Sequence, residues 1–303
     1  MIDLISLDSQ RCLNNRYTLG SELGTGGLST VYEAIDGYSD YYGDIRPLAV
    51  KLPLEHLAQK SDIDAFMYAE YAHLTRLSHP NIIKVIDFGI DTYYNIPYLV
   101  LEKMDGKLLK DVSLPTLTRS HKKKICNTLF DVMQYLHAQH IIHADISPAN
   151  IMLLDTGEIR LFDFGISINT ALNHPFELDY SATKAYNPLY AAPEILEGKT
   201  PSRESDLFSL AVIIYELYEH SLPYITNSLE LQEKPITLFR IKKVPFNLKF
   251  WLLKSLNCTD FKRNNKLEKT LLNKYSNIFK FFSVNLLFYS RILSLKNIKK
   301  GQK

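Results

Sequence analysis

The sequence predicts an α+β protein of two unequal lobes: a small strand-rich front lobe that holds one helix, and a larger, mainly helical back lobe. Three observations predict it. Short runs of β-branched and aromatic residues recur up to about residue 104, one helical period interrupts them, and beyond residue 115 the apolar spacing turns helical.

Taken in order, strands are expected at residues 17–23, 31–35, 48–52, 82–88 and 98–101. Between the third and fourth, Phe66, Glu70, His73, Leu74 and Leu77 recur at helical spacing, which predicts a helix over 62–77 with Ser61 or Asp62 as its N-cap. A second long helix is expected over 118–140, where Ile125, Leu129, Val132, Met133 and Leu136 form one apolar stripe. A further short strand is expected at 159–162. The chain then divides into an N-terminal extension (1–16), one bilobal domain (17–277, its lobes meeting near 104 and 105) and a tail (278–303).

Composition narrows the class. With 303 residues, 46% hydrophobic, 22% charged and only 12 Gly and 13 Pro, the chain has material for a sizeable core and is neither disordered nor collagen-like. Cys12, Cys126 and Cys258 are far apart and form no CxxC pair, which argues against a disulfide framework and a zinc site and points to a reducing, cytoplasmic setting. Residues 1–11 carry Asp3 and Asp8 where an export signal has positive charge followed by an apolar run. The net charge of +2 is uneven: from Lys269 to Lys303 there are seven Lys, one Arg and no acid, so this end carries +8 and the first 268 residues carry −6.

The chemistry-bearing residues follow the same order. Gly24-Thr25-Gly26-Gly27-Leu28-Ser29 lies between two expected strands, where backbone N–H groups free of Cβ interference can approach an anion. No Gly-Lys-Ser/Thr follows, so this is not a Walker A loop. Lys51 ends an apolar strand and Glu70 lies on the inner stripe of the next helix; each is costly to bury alone, and together they satisfy one another. In Ile141-Ile142-His143-Ala144-Asp145-Ile146-Ser147-Pro148-Ala149-Asn150, an aspartate and an asparagine five residues apart sit in a polar loop between apolar runs. One suits proton acceptance and the other metal ligation. Asp163-Phe164-Gly165 follows, again at the end of an apolar strand.

In this order and spacing the motifs resemble the eukaryotic-type (Ser/Thr-type) protein kinase family, from residue 17 to about 273. The resemblance implies the bilobal kinase fold, ATP as phosphoryl donor, magnesium (or manganese in its place) as cofactor, and a protein hydroxyl as acceptor. It implies that Gly24 and Gly26 cover the phosphates, Lys51 contacts them, Glu70 holds Lys51, Asp145 is the base, and Asn150 and Asp163 are the metal ligands. Leu101 takes the gatekeeper position, the Glu102 carbonyl and Met104 amide hold adenine, and Val31, Ala49 and Met152 sandwich its ring. Ala192-Pro193-Glu194, Asp206 and Arg263 match later family motifs that kinases of small metabolites generally lack, which favours a protein substrate over a metabolite. A binding scaffold without catalysis is the other alternative, opposed by the presence of Lys51, Asp145, Asn150 and Asp163 together.

Three departures stand out. Ser29 replaces the third glycine of the phosphate loop. Ala144 replaces the arginine that in many kinases meets a phosphorylated activation-loop residue, so activity is expected not to require phosphorylation between Asp163 and Glu194, where Ser167, Thr170, Ser181 and Thr183 are the candidate acceptors. Ser147 and Asn187 replace a lysine and a threonine that meet in Ser/Thr kinases; their joint change suggests a coherent rearrangement and leaves tyrosine as an alternative to serine or threonine. No specific nucleic-acid partner is expected, and the oligomeric state is not specified. The tail 278–303 is apolar but interrupted by Lys280, Asn285 and Arg291, so it suits either a weak contact with an anionic membrane surface or packing on the helical lobe, and not a membrane span.

Overall fold

Strand β4 (Leu48–Pro53) is buried along its whole length, and the front lobe is organised around it. In the computed structural model, which describes residues 11–44, 46–58, 63–171 and 186–257, it lies inside a six-stranded antiparallel sheet of order β1-β2-β3-β4-β6-β5, built from β1 (Cys12–Leu13), β2 (Tyr17–Thr25), β3 (Ser29–Asp36), β5 (Val85–Asp91) and β6 (Ile96–Glu102). Alternation along the strands puts Leu48, Val50 and Leu52 on one face with Leu13, Tyr17, Ala34, Ile96, Tyr98 and Val100, a continuous apolar cluster. Ala49 and Lys51 consequently turn to the other face. Arg16 ties the edges together, donating to Asp36 at 2.9 and 3.0 Å and to Asp87 at 3.0 Å.

Several expected boundaries move. Residues 11–16, expected outside the domain, contribute β1 and its turn to the sheet through pairs Cys12–Thr18 and Leu13–Tyr17. The strand expected at 82–88 is β5, Val85–Asp91, because Ile82 and Ile83 dock on Leu161 of the back lobe instead. The helix expected over 62–77 is α2 (Ile63–Leu74), closed by a tight turn in which Arg76 and Leu77 donate to His73 and Leu74; Ser61 and Asp62 lie outside the described residues. Between β3 and β4 a single-turn helix α1 (Gly37–Tyr41) is capped by Asp36.

The back lobe opens with small β-structure. β7 (Gly106–Leu108) pairs with β9 (Ile151–Leu154), which pairs with β10 (Ile159–Leu161), and β8 (Ile141–Ile142) pairs with β11 (Ile168–Asn169). Helix α3 (Arg119–Ala138) is capped by Thr118 and buries the expected stripe. After a short α4 (Pro193–Leu196) comes α5 (Arg203–Glu219), started by a reciprocal Ser202–Ser205 capping box and buried almost all round, hence the central helix. Beyond α6 (Glu230–Glu233), α7 (Phe246–Asn257) packs Trp251 edge-on to Phe130 of α3 at 4.9 Å. Among the described residues no helix is long and apolar enough to cross a membrane. Cys258, Arg263 and the tail lie outside those residues.

Candidate active site

Strand register assembles the first half of the site. Val31 and Leu99 flank Lys51 across the sheet, and Glu33 and Leu101 flank Ala49, so Val31, Ala49, Lys51 and Leu101 share the face opposite the apolar cluster. Lys51 Nζ, 8% exposed, donates to Glu70 Oε2 at 2.7 Å and to Asp163 Oδ1 at 2.8 Å. Glu70, 2% exposed, also accepts the Phe164 N–H through Oε1 at 3.3 Å. Burial alone pulls the Lys51 pKa down, but the Asp163 and Glu70 carboxylates more than reverse this and hold the ammonium charged. Burial raises Glu70 against the pull of Lys51, while the same ammonium holds Asp163 below the usual range.

The second half is the loop between β8 and the 3₁₀ turn Pro148–Asn150. Asp206 of α5, 1% exposed, accepts the His143 N–H at 2.9 Å, the Ala144 N–H at 3.0 Å and His137 Nε2 at 3.0 Å. These bonds fix Ala144 in the left-handed region, φ 69°, which a residue with a Cβ rarely adopts. The chain therefore turns sharply and presents Asp145. Its Oδ2 accepts from Asn150 Nδ2 at 2.7 Å and its Oδ1 from the Asn187 N–H at 2.8 Å. Burial, with a smaller push from the Asp163 charge, raises the Asp145 carboxyl to about 6 in spite of these donors.

Both halves line one open cleft, together with Gly26, Gly27, Leu28 and Ser29. The glycine loop is tighter than expected: Gly24 lies within β2, opposite Val31, and the turn closes with Gly26 N–H donating to Ser29 O at 2.8 Å. A Cβ on Gly24 or Gly27 would meet nothing within 4 Å, so what these positions provide is open space over the backbone. Leu101 is buried and Met152 half-buried, Glu102 binds Arg160 through its side chain, and the Met104 N–H has no partner among the described residues. Oxygen donors suited to a hard cation are Asp163 and the Asn150 amide oxygen, whose NH₂ is committed to Asp145. Among the described residues no cluster of three metal-ligating side chains exists, a set that fits a cation shared with phosphates rather than caged by protein alone. One ammonium against three carboxylates leaves the cleft with an excess of acids, which a divalent cation would offset.

The protein kinase domain family matches residues 17–278. This chain belongs to the protein kinase family. It is 31% identical over 226 residues to a probable serine/threonine-protein kinase of Streptomyces coelicolor, covering 73% of this chain and 33% of that one. It is 32% identical over 221 residues to the serine/threonine-protein kinases PknB of Mycobacterium leprae and Mycobacterium tuberculosis, covering 71% of this chain and 34% of each. The chain thus spans about a third of the length of the curated relatives it matches.

At the two departures of the substrate loop, the Ser147 hydroxyl is fully buried with no partner among the described residues, and Asn187 Oδ1 accepts from the Leu189 N–H at 3.1 Å. One expectation needs correcting. Ser167 is no free phosphate acceptor, because its side chain is 2% exposed and donates to His143 O at 3.1 Å. Ser181 and Thr183 lie outside the described residues. Sequence reasoning also missed the Asn187 N–H on Asp145, and the wall of the cleft formed by Ile63, Phe66, Met67 and Ile166. Neither is marked by an unusual residue type.

Proposed function

We propose that this chain transfers the γ-phosphoryl group of ATP to serine or threonine hydroxyls of protein substrates, with residues 17–277 as the catalytic domain. The observation that carries the reading is Asp145, bonded on both carboxylate oxygens and facing the same cleft as the Lys51–Glu70–Asp163 triad. ATP brings the transferable phosphoryl group, and magnesium or manganese neutralises its phosphates. Lys51 binds the phosphates, oriented by Glu70; Gly24, Gly26 and the turn between β2 and β3 cover them; Asn150 and Asp163 hold the cation; and the Met104 N–H with the Glu102 carbonyl holds adenine between Val31, Ala49 and Met152. Asp145 orients the acceptor hydroxyl and takes its proton at Oδ, a role suited to a carboxyl whose pKa is near 6. Phosphoryl transfer asks mainly for positioning and charge neutralisation, which this constellation supplies.

Activity without a phosphorylated activation segment is part of the proposal. The catalytic loop is braced internally by Asp206, and the Ala144 methyl offers nothing to a phosphate. The relatives' names support serine or threonine over tyrosine. A reducing, cytoplasmic setting fits the free thiols of Cys12 and Cys126.

The test is phosphorylation of a generic protein substrate by the purified full chain, followed by phosphoamino-acid analysis, alongside Asp145→Asn and Asp163→Ala. Phosphoserine or phosphothreonine that disappears in both variants is expected; ATP binding without turnover overturns the reading. Replacing Thr170, Ser181 and Thr183 with alanine, with Ser167 retained for its structural bond, is expected to leave turnover intact.

A further inference from the structure

Outside the lining of the cleft, Lys122 of α3 stands out as a buried cation with no anion among the described residues. It is 7% exposed, and its Nζ has one polar neighbour among the described residues, His220 Nε2 at 3.4 Å, with the Tyr218 ring 6.0 Å away. A carboxylate is what such an ammonium ordinarily requires, and no described residue supplies one. His220 ends α5 in a left-handed conformation, φ 65°, and its Nδ1 is itself buried without a hydrogen bond. A second cation adds to the imbalance: Lys243, exposed in the segment before α7, acts on both groups. Glu219, the acid beside them in sequence, spends its Oε1 on the backbone N–H groups of Lys243 and Val244, which fixes that segment in place.

The helix end itself points the same way. The first turn of α3 carries no acid, although a helix N-terminus favours negative charge, and it presents Arg119 at the surface. Burial, then the charges of Lys122 and Lys243, hold the His220 pKa below its ordinary value against the opposing pull of Glu219, which favours the neutral ring as acceptor for Lys122.

We propose that Lys122, His220, Lys243 and the N-terminus of α3 form a binding site for a phosphate-type oxyanion, carried either by a soluble phosphate ester or by an anionic lipid headgroup. The bound oxygens take the spare hydrogens of Lys122, the Lys243 ammonium and, once it protonates, the His220 ring, so three unbalanced donors gain one shared acceptor. The site lies apart from the residues of the catalytic cleft and does not depend on what reaction that cleft performs.

The test follows the His220 imidazole by ¹H–¹⁵N NMR on the full chain, assigned with His220→Gln, during titration with inorganic phosphate at constant ionic strength. A saturable shift with a rise in the His220 pKa is expected, undisturbed by Lys51→Met and weakened at least about tenfold by Lys243→Ala, an exposed substitution that leaves the fold intact. No saturable shift, or the same shift in Lys243→Ala, overturns the proposal. Co-sedimentation with phosphatidylglycerol vesicles, compared with phosphatidylcholine alone, then names the source. Pelleting lost in Lys243→Ala assigns a headgroup, and pelleting absent or unchanged assigns a soluble phosphate ester.

Discussion

Replacing Asp206 with alanine removes one side chain and leaves three donors buried without acceptors: the His143 N–H, the Ala144 N–H and His137 Nε2. Each unsatisfied buried donor costs about 1–3 kcal/mol, and partial entry of water into the gap lowers the sum, so Asp206→Ala is expected to destabilise the protein by about 3–5 kcal/mol. Asp206→Asn is a finer probe. Its amide oxygen can still serve the two donors that Oδ2 serves, but its NH₂ then faces the Ala144 N–H, for a loss of about 1–3 kcal/mol. Urea unfolding followed by the fluorescence of Trp251, the single tryptophan, reads both, because that ring is packed between α3 and α7. The Lys51 triad makes no contact with Asp206, so the kinase reading further expects kcat to fall at least about tenfold with little change in KM for ATP. An Asp206→Ala protein within about 0.5 kcal/mol of the parent would refute the claim that this carboxylate holds the loop.

Three further outcomes follow from local geometry. Ala144→Gly relieves a left-handed φ worth about 1–2 kcal/mol but adds about 0.5–1 kcal/mol of unfolded-chain entropy, so a small net gain in the urea midpoint is expected; a loss above about 1 kcal/mol contradicts it. Gly106→Ala places a Cβ 2.3 Å from Leu153 O and 2.8 Å from the Leu154 Cα, backbone that cannot swing aside, and is expected to cost about 2–4 kcal/mol by thermal or urea unfolding; a neutral result refutes the close approach of β7 and β9. For Asp145, with its carboxyl raised to about 6, the proposed role as base expects turnover to rise with pH and level off above that value, because the ionised form accepts the proton. The stability sign is opposite: an acid raised on folding binds more protons folded than unfolded, so its ionisation removes stability as pH climbs from about 4 to about 6. Asp145→Asn is accordingly expected to be inactive yet about 1–2 kcal/mol more stable at pH 7.5, with the gap narrowing at pH 5; equal stability at both pH values overturns the assignment.

The parts of the site legible in the sequence are those where a residue type is costly in its expected setting. A lysine inside an apolar strand and a glutamate on an apolar helix stripe each demand a counter-charge, and the structure joins them at 2.7 Å. The aspartate and asparagine of the catalytic loop were legible because polar side chains interrupt two apolar runs. The Asn187 contact was not, since it is made by a backbone N–H that carries no letter. Strand boundaries slipped for a related reason: Ile82 and Ile83 look like strand residues, but they are buried by docking on Leu161, and apolar character does not say which neighbour covers it.

Lys122 shows where that logic stops. It lies three residues before Ile125, on the very stripe that predicted α3, and by the rule that marked Lys51 it should have demanded a partner. Among the described residues nothing acidic answers: what meets it is the ring of His220, 98 residues away, placed there by the packing of α3 on α5. Lys51 and Lys122 are thus the same physical problem with different resolutions. In the cleft, two carboxylates of the chain hold the ammonium in place. At α3 no described residue supplies such an acceptor, and the proposed site follows from taking that missing negative charge as the ligand's to provide.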